Sequence, residues 1–280
     1  MLYKIGEAIF PISTDRWLFF TVKFWLAISL LTLSLSIASQ DCREHLKVNF
    51  SNGEILKYEL VYNWGLIWAK AGYVTFSAKD TLVNGVHHWN FRGNGASARH
   101  WDWFYKVRAN YESISDLRMH SKKFDRTGQE GSHLYNREYV FHNDLCQYSF
   151  LNEEGIVRSK TFEIPPCSFD VMTAIYYCRS IPYNEFEIDE VVPLNLILDG
   201  ALNTSHVRYI GKERWTDPNT DIEYNCIKFK PLLIDGTIFR EGESMTVWVT
   251  DDKKRVPVYV ETELVVGKAK VFLINYQSGK

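Results

Sequence analysis

The chain has 280 residues, a formal net charge of −2, 46% hydrophobic and 15% aromatic content. That is too apolar for a disordered chain and enough for one large β domain or two small ones. Without a basic excess it lacks the dense cationic face that phosphate backbones require, so nucleic acid is not an expected partner.

In chain order, the first feature is an uncharged run, "FWLAISLLTLSLSI", at positions 24–37, preceded by Arg16 and Lys23 and followed by "ASQDC". A basic flank, a short apolar core and small residues read as a secretory signal peptide over residues 1–40. The core is shorter than the roughly 20 residues a spanning helix needs. An uncleaved N-terminal anchor is the alternative, and the stretch before Arg16 is long for a leader. Asp41 before Cys42 argues against lipidation of that cysteine. Export would permit disulfides, but the pairing among Cys42, Cys146, Cys167, Cys178 and Cys226 stays open, since none lies in a CxxC arrangement.

From residue 45 to 277 we expect a single β domain. "EILKYELVYNW" alternates Leu56, Tyr58, Leu60, Tyr62 and Trp64 with more polar neighbours, the period of a half-buried antiparallel strand. "AGYVTFSAKD" repeats the pattern, and Asn84-Gly85 is a hairpin turn signal. Further alternating segments follow at intervals of about ten residues, which suits an all-β sheet and not βαβ units. One segment departs from it. "PPCSFDVMTAIYYCRSIP" carries Phe169, Met172, Ile175, Tyr176 and Arg179 at helical spacing, with Ser168 as N-cap and Pro182 beyond the end. It predicts one short helix near 168–180, and Ala98–Trp101 predicts a further helical turn. The expected fold is all-β and mainly antiparallel: a strongly curved sheet, or an open or closed barrel.

Chemistry is sparse. His87 and His88 are adjacent and face opposite ways on a strand, and His100 with Asp102 has no third ligand at a telling spacing, so no metal is expected. No HExxH, GxSxG or phosphate loop occurs, and no cofactor is expected. The acidic pairs Glu153-Glu154, Asp189-Glu190 and Asp251-Asp252 sit beside turn residues, where solvated acids are common; a glycosidase would need two acids facing each other across a cleft. Trp64, Trp68, Trp101, Trp103 and Tyr105 form the densest aromatic region. They are candidates for lining a lipid or glycan site, against the plainer reading that they fill a curved sheet. "DDKKR" at 251–255 reads as the charged turn of a long hairpin.

The blocks "GEILKYELVYNWGLIWAKAG", "SFDVMTAIYYCRSIP" and "GESMTVWVTDDKKRVPVYVETELVVGKAKVFL", in that order, resemble the bacterial domain-of-unknown-function family 3108, exported proteins of Gram-negative envelopes. The resemblance spans most of residues 50–275. It falls on Gly53, Glu54, Tyr58, Gly65 and Gly72, then Asp170 and Tyr176, then Gly242, Trp248, Asp252, Arg255, Pro257 and Gly267. It implies no activity and no catalytic residue. It does imply that Gly65 and Gly72 answer backbone demands, and that the Asp252–Arg255 turn is held by an ion pair or by a carboxylate on turn amides. The expectation is a periplasmic envelope protein, more simply non-enzymatic, binding a lipid or glycan on a concave β surface. An assembly role with an envelope protein partner and a carboxylate-dependent glycan hydrolase are the alternatives.

Overall fold

Side chains alternating apolar and polar must bury one face, and here they do so in a single continuous sheet. The computed structural model describes residues 42, 46–64, 67–152, 154–233, 242–264 and 267–280; the expected leader, Gly65 and Glu153 lie outside them. The first run of strands is β1 (Glu54–Trp64), β2 (Ile67–Val83), β3 (Val86–Ser97), β4 (Val107–Asp116), β5 (Ser121–Glu130), β6 (His133–His142), β7 (Leu145–Leu151) and β8 (Val157–Glu163). A three-residue strand β9 (Ser168–Asp170) leads into the helix α1 (Val171–Ser180). The chain then returns through β10 (Val191–Leu198), β11 (Ala201–Thr216), β12 (Glu223–Pro231), β13 (Met245–Thr250), β14 (Pro257–Glu263) and β15 (Lys268–Gln277).

The fifteen strands lie in the order β8-β7-β6-β5-β4-β3-β2-β1-β15-β14-β13-β12-β11-β10-β9. Every pairing is antiparallel except β9 with β10. Two meanders therefore meet at the β1–β15 seam, and β8 and β9 are the two edges. Laid flat, fifteen strands would span about 67 Å at roughly 4.8 Å per spacing. Yet five Cα steps link Glu163 to Ser168, a reach of at most about 18 Å. The sheet must curl until its edges approach, and the Ser121 hydroxyl on β5 donates to the Asp170 carboxylate on β9 at 2.6 Å. No ladder joins β8 to β9, so the sheet is strongly curved and open. Of the forms that the alternation allowed, the closed barrel is excluded.

Local sequence explains the turns and one irregularity. Asn84 and Gly85 both have positive φ, as a tight hairpin requires, and close β2 onto β3 at Val83 and Val86. Between Leu60 and Val61 the register of β1 on β2 shifts, with Leu60 opposite Gly72 and Val61 opposite Lys70. A Cβ at Gly72 would run into the Ala96 carbonyl of β3, so this glycine serves a bulge and a close backbone approach.

The helix begins later than the spacing predicts. Ser168 and Phe169 are taken up by β9, and the N-cap is Asp170, not Ser168. The short turn after β3 is a 3-10 helix over Arg99–Trp101. Cys42 and Cys167 form a disulfide across 125 residues, with Cα atoms 5.7 Å apart, while Cys146, Cys178 and Cys226 are free thiols. Tethering so long a loop contributes roughly 5 kcal/mol in the chain-entropy treatment.

Candidate functional site

Two buried polar anchors hold α1 inside the curved sheet. At its start the Asp170 carboxylate is fully buried. One oxygen accepts the backbone N–H groups of Met172 and Thr173, both at 2.9 Å, and so caps the helix. The other accepts the hydroxyls of Ser113 at 2.7 Å, Ser121 at 2.6 Å and Thr173 at 2.7 Å, which ties the helix to β4 and β5. At its end Arg179 is buried and bidentate with Glu54, the first residue of β1, at 2.5 and 3.0 Å. Its Nε donates to the Arg255 carbonyl at 3.0 Å, and another N–H to the Lys254 carbonyl at 2.9 Å. Burial, the largest single influence, would lower the Arg179 pKa; the hydrogen bond to Glu54 together with the Glu54 charge more than offsets it and raises it, so the guanidinium stays charged.

This gives the charged turn at 251–255 a role. Asp252 accepts the N–H groups of Lys254 at 2.8 Å and Arg255 at 3.1 Å, and the Thr250 hydroxyl at 2.9 Å. Arg255 has φ 47°, and the turn thus aims two carbonyls at Arg179. Of the two devices expected, the carboxylate on turn amides is the one Asp252 uses; the Arg255 side chain meets Asp251 instead, at 3.5 Å. The turn is a clamp for a buried arginine. Glu54, Tyr58, Asp170, Asp252, Arg255 and Pro257 all serve these two anchors or their surroundings, with the Tyr58 hydroxyl donating to the Pro257 carbonyl at 2.9 Å. Arg179 itself was the residue missed as a site member. Its signal was a charge at the end of an apolar helical stripe.

The helix is apolar on both sides, and the two sides meet different things. Met172 and Tyr176 face β3, where Tyr176 stacks on Phe91 at 4.2 Å and Phe50 meets Tyr176 edge-on at 5.0 Å. A Cβ on Gly93 would lie 2.9 Å from the Met172 sulfur, so that side has no spare room. The opposite stripe is Val171, Ala174, Ile175 and Cys178, spaced for one face of a helix. It looks onto a cavity of about 470 Å³.

The far wall of that cavity is set by inward side chains of both meanders, among them Leu56, Val74, Phe76, Leu194, Val247 and Val271. Its polar lining residues are largely engaged elsewhere. The Ser205 hydroxyl donates to the Leu232 carbonyl at 2.8 Å, Tyr58 to Pro257, and Arg179 to the groups above. His206 Nε2 pairs with Glu243 at 2.6 Å. Among the described residues Tyr176 Oη, which is buried, lacks a partner. Burial pushes the Cys178 thiol up to about 12 and the Tyr176 hydroxyl above its usual value, so both stay neutral.

The aromatic residues expected to line a site lie elsewhere. Trp68, Trp101, Trp103 and Tyr105 are not in the cavity wall. Trp64 closes β1 opposite Ile67. Trp103 is 81% exposed and Phe104 71%, with Trp68 and Tyr105 about half exposed. The β3–β4 connection carries Trp101, Trp103 and Tyr105 past the sheet margin, so they neither fill the sheet nor face its hollow; Trp68 lies on β2 near the same margin. Trp248 donates its indole N–H to Glu213 and packs on Tyr259. Gly53 precedes β1 and Gly242 bridges to Leu233. At Gly267, φ is 77° and a Cβ would strike the Asn63 carbonyl. Asp251 is paired with Lys212 at 2.6 Å, Asp189 sits in a turn with positive φ, and Asp102 is held by Arg108 at 2.6 Å. None of these acids belongs to the cavity wall.

The family described as "Protein of unknown function (DUF3108)" matches residues 57–274. The chain belongs to that family. No curated protein matches the sequence. Among solved structures, a β-barrel-like protein of the domain of unknown function DUF1849 from Brucella abortus is similar in fold, at 7% identity and a TM-score of 0.57. The match covers 84% of this chain and 100% of that one. A DUF1329 family protein from Desulfovibrio piger matches over 82% of this chain and 87% of its own at 9% identity, but its TM-score of 0.24 is too low for any argument. The likeness to the first is one of fold alone.

Proposed function

We propose that this is a non-catalytic cell-envelope protein that holds the acyl chain of a lipid between α1 and the curved sheet. The observation that carries the reading is the apolar lining of the cavity beside Val171, Ala174, Ile175 and Cys178. Its volume lies within the ordinary range for small-molecule sites, roughly 300–1,000 Å³. A glycan needs several free donors and acceptors on the wall, and apart from the Tyr176 hydroxyl the side chains that could supply them are largely engaged within the protein. An apolar chain needs none, and gains free energy from each methylene withdrawn from water. Two features support export: the sequence of residues 1–40, and the Cys42–Cys167 disulfide, a bond that persists in oxidising compartments.

The test is native mass spectrometry of protein purified from the envelope fraction, with lipid extraction and displacement of a fluorescent fatty acid. A bound lipid mass is expected, lost in Ala174→Trp, where the new ring fills the cavity, and retained in Trp101→Ala. An unliganded mass together with no binding of the fluorescent fatty acid would overturn the proposal. Retention of the lipid by Ala174→Trp would place the ligand elsewhere and do the same.

A further inference from the structure

Beyond the cavity, one surface feature is built in a way its exposure alone does not explain. The β3–β4 connection, residues 98–106, is a fixed turn. Ser97 and Arg108 grip the Asp102 carboxylate at 2.7 and 2.6 Å. The Phe104 and Tyr105 N–H groups both donate to the Trp101 carbonyl at 2.9 Å, and the Trp101 indole donates to the Lys70 carbonyl on β2 at 2.9 Å. Tyr105 packs over Gly131 of the neighbouring β5–β6 turn. All this order presents Trp103 and Phe104, in edge contact at 5.9 Å, almost wholly to solvent. Large aromatic side chains held out by a rigid turn mark a contact surface.

The charges say which kind. The one acid of the turn, Asp102, is neutralised by Arg108. Among the described residues Arg99 and Lys106 flank the aromatics without an ion pair. On β2 Lys70 is paired with Glu59 at 2.8 Å, and on β15 the Lys270 ammonium sits 4.6 Å over the Trp68 ring. Aromatic rings at an apex with cations set behind them match the boundary between acyl chains and anionic headgroups. The C-terminal ends of β1, β12 and β14 lie at the same margin of the sheet, as the antiparallel register requires. Leu232, Leu233 and Met245 bring the cavity wall to that margin.

We infer that the 98–106 turn docks the protein on a bilayer surface bearing anionic phospholipid. Trp103 and Phe104 enter the interface, and Arg99 and Lys106 meet the headgroups. The inference goes beyond cavity binding and stands apart from it.

Flotation with phosphatidylethanolamine–phosphatidylglycerol vesicles tests it, with phosphatidylcholine vesicles as the neutral control. All variants carry the same N-terminus, so differences read the turn alone. Trp103→Ala with Phe104→Ala should lower partitioning about tenfold or more. Arg99→Glu with Lys106→Glu should abolish the preference for anionic vesicles, and added salt should weaken wild-type binding. Ala174→Trp should float like wild type, which separates docking from loading of the cavity. Unchanged flotation of the aromatic double variant would overturn the inference. So would a photo-crosslinker at position 103 that captures a protein in intact envelopes and no phospholipid.

Discussion

The two sides of α1 carry much the same kind of side chain and do opposite things. Met172 and Tyr176 press on Phe50, Phe91 and Gly93, where even one added methyl would collide with the Met172 sulfur. Val171, Ala174, Ile175 and Cys178 face a hollow of about 470 Å³. Hydrophobicity puts a helix inside; what stands opposite decides whether that face becomes core or container. Rings and a glycine close one side. On the other, the strands from β10 round to β2 stand back from the helix, which is held off them at both ends by the Asp170 and Arg179 anchors.

That contrast can be broken first at the anchor. Arg179→Met should leave Glu54 buried without a partner and cost about 3–5 kcal/mol, while the double change with Glu54→Leu should recover most of it. Urea unfolding measures both, and a loss below about 1 kcal/mol for the single variant would mean the pair does not hold the helix. Truncation on the two sides should then differ. Met172→Ala should cost about 3 kcal/mol by opening a void in close packing, and Ile175→Ala about 1, because its neighbour is already a hollow. Equal costs would show the cavity side to be packed in solution. Enlargement should reverse the order: Gly93→Ala should destabilise by about 1–3 kcal/mol through overpacking, and Ala174→Phe by less than about 1.

A pH effect follows from the three free thiols. Burial pushes Cys146, Cys178 and Cys226 up to about 12 each. In the unfolded chain they would ionise near about 8.5. The folded form thus keeps its thiols neutral while the unfolded form is stabilised by ionisation. Stability should be flat below that point and fall as pH rises, with Cys→Ala changes removing the slope up to about pH 10. Above it, buried tyrosines such as Tyr58 and Tyr176, whose pKa burial also raises, continue the fall. In the native state at pH 8 all three should resist alkylation, and Cys178 should react first if the cavity admits the reagent. The smallest expected change is Tyr176→Phe, within about 0.5 kcal/mol of wild type, since the hydroxyl it removes has no partner to lose.

Much of the sheet could be read from period-two alternation. Leu56 and Tyr58 face inward as the pattern requires, and Asn84-Gly85 turns where that dipeptide must. The helix was visible too, but its first turn was not. The β preference of Ser168 and Phe169 is met only because β10 lies alongside to pair with them, a contact no local window contains. The aromatic cluster misled for a related reason: Trp101, Trp103 and Tyr105 sit where strand period lapses, and exposure there depends on the turn built by Asp102. The cavity was illegible for a deeper one. Voids arise from how far apart elements are held, and the residues that set that distance, Arg179 and the Asp252 turn, look in sequence like ordinary surface charge.

The order of strands also bears on how the molecule is made. Every pairing joins strands adjacent in sequence except that of β1 with β15, which spans some two hundred residues. Each meander can begin to form as it emerges, but the seam closes only when the C-terminal strand arrives, and long-range closure of this kind is slow. The cavity draws its wall from both meanders, Leu56 and Val74 from one, Val247 and Val271 from the other. It cannot exist before the last strand docks. A ligand present at that moment would be enclosed as the chain completes itself, and would act on the rate of folding as well as on the finished protein.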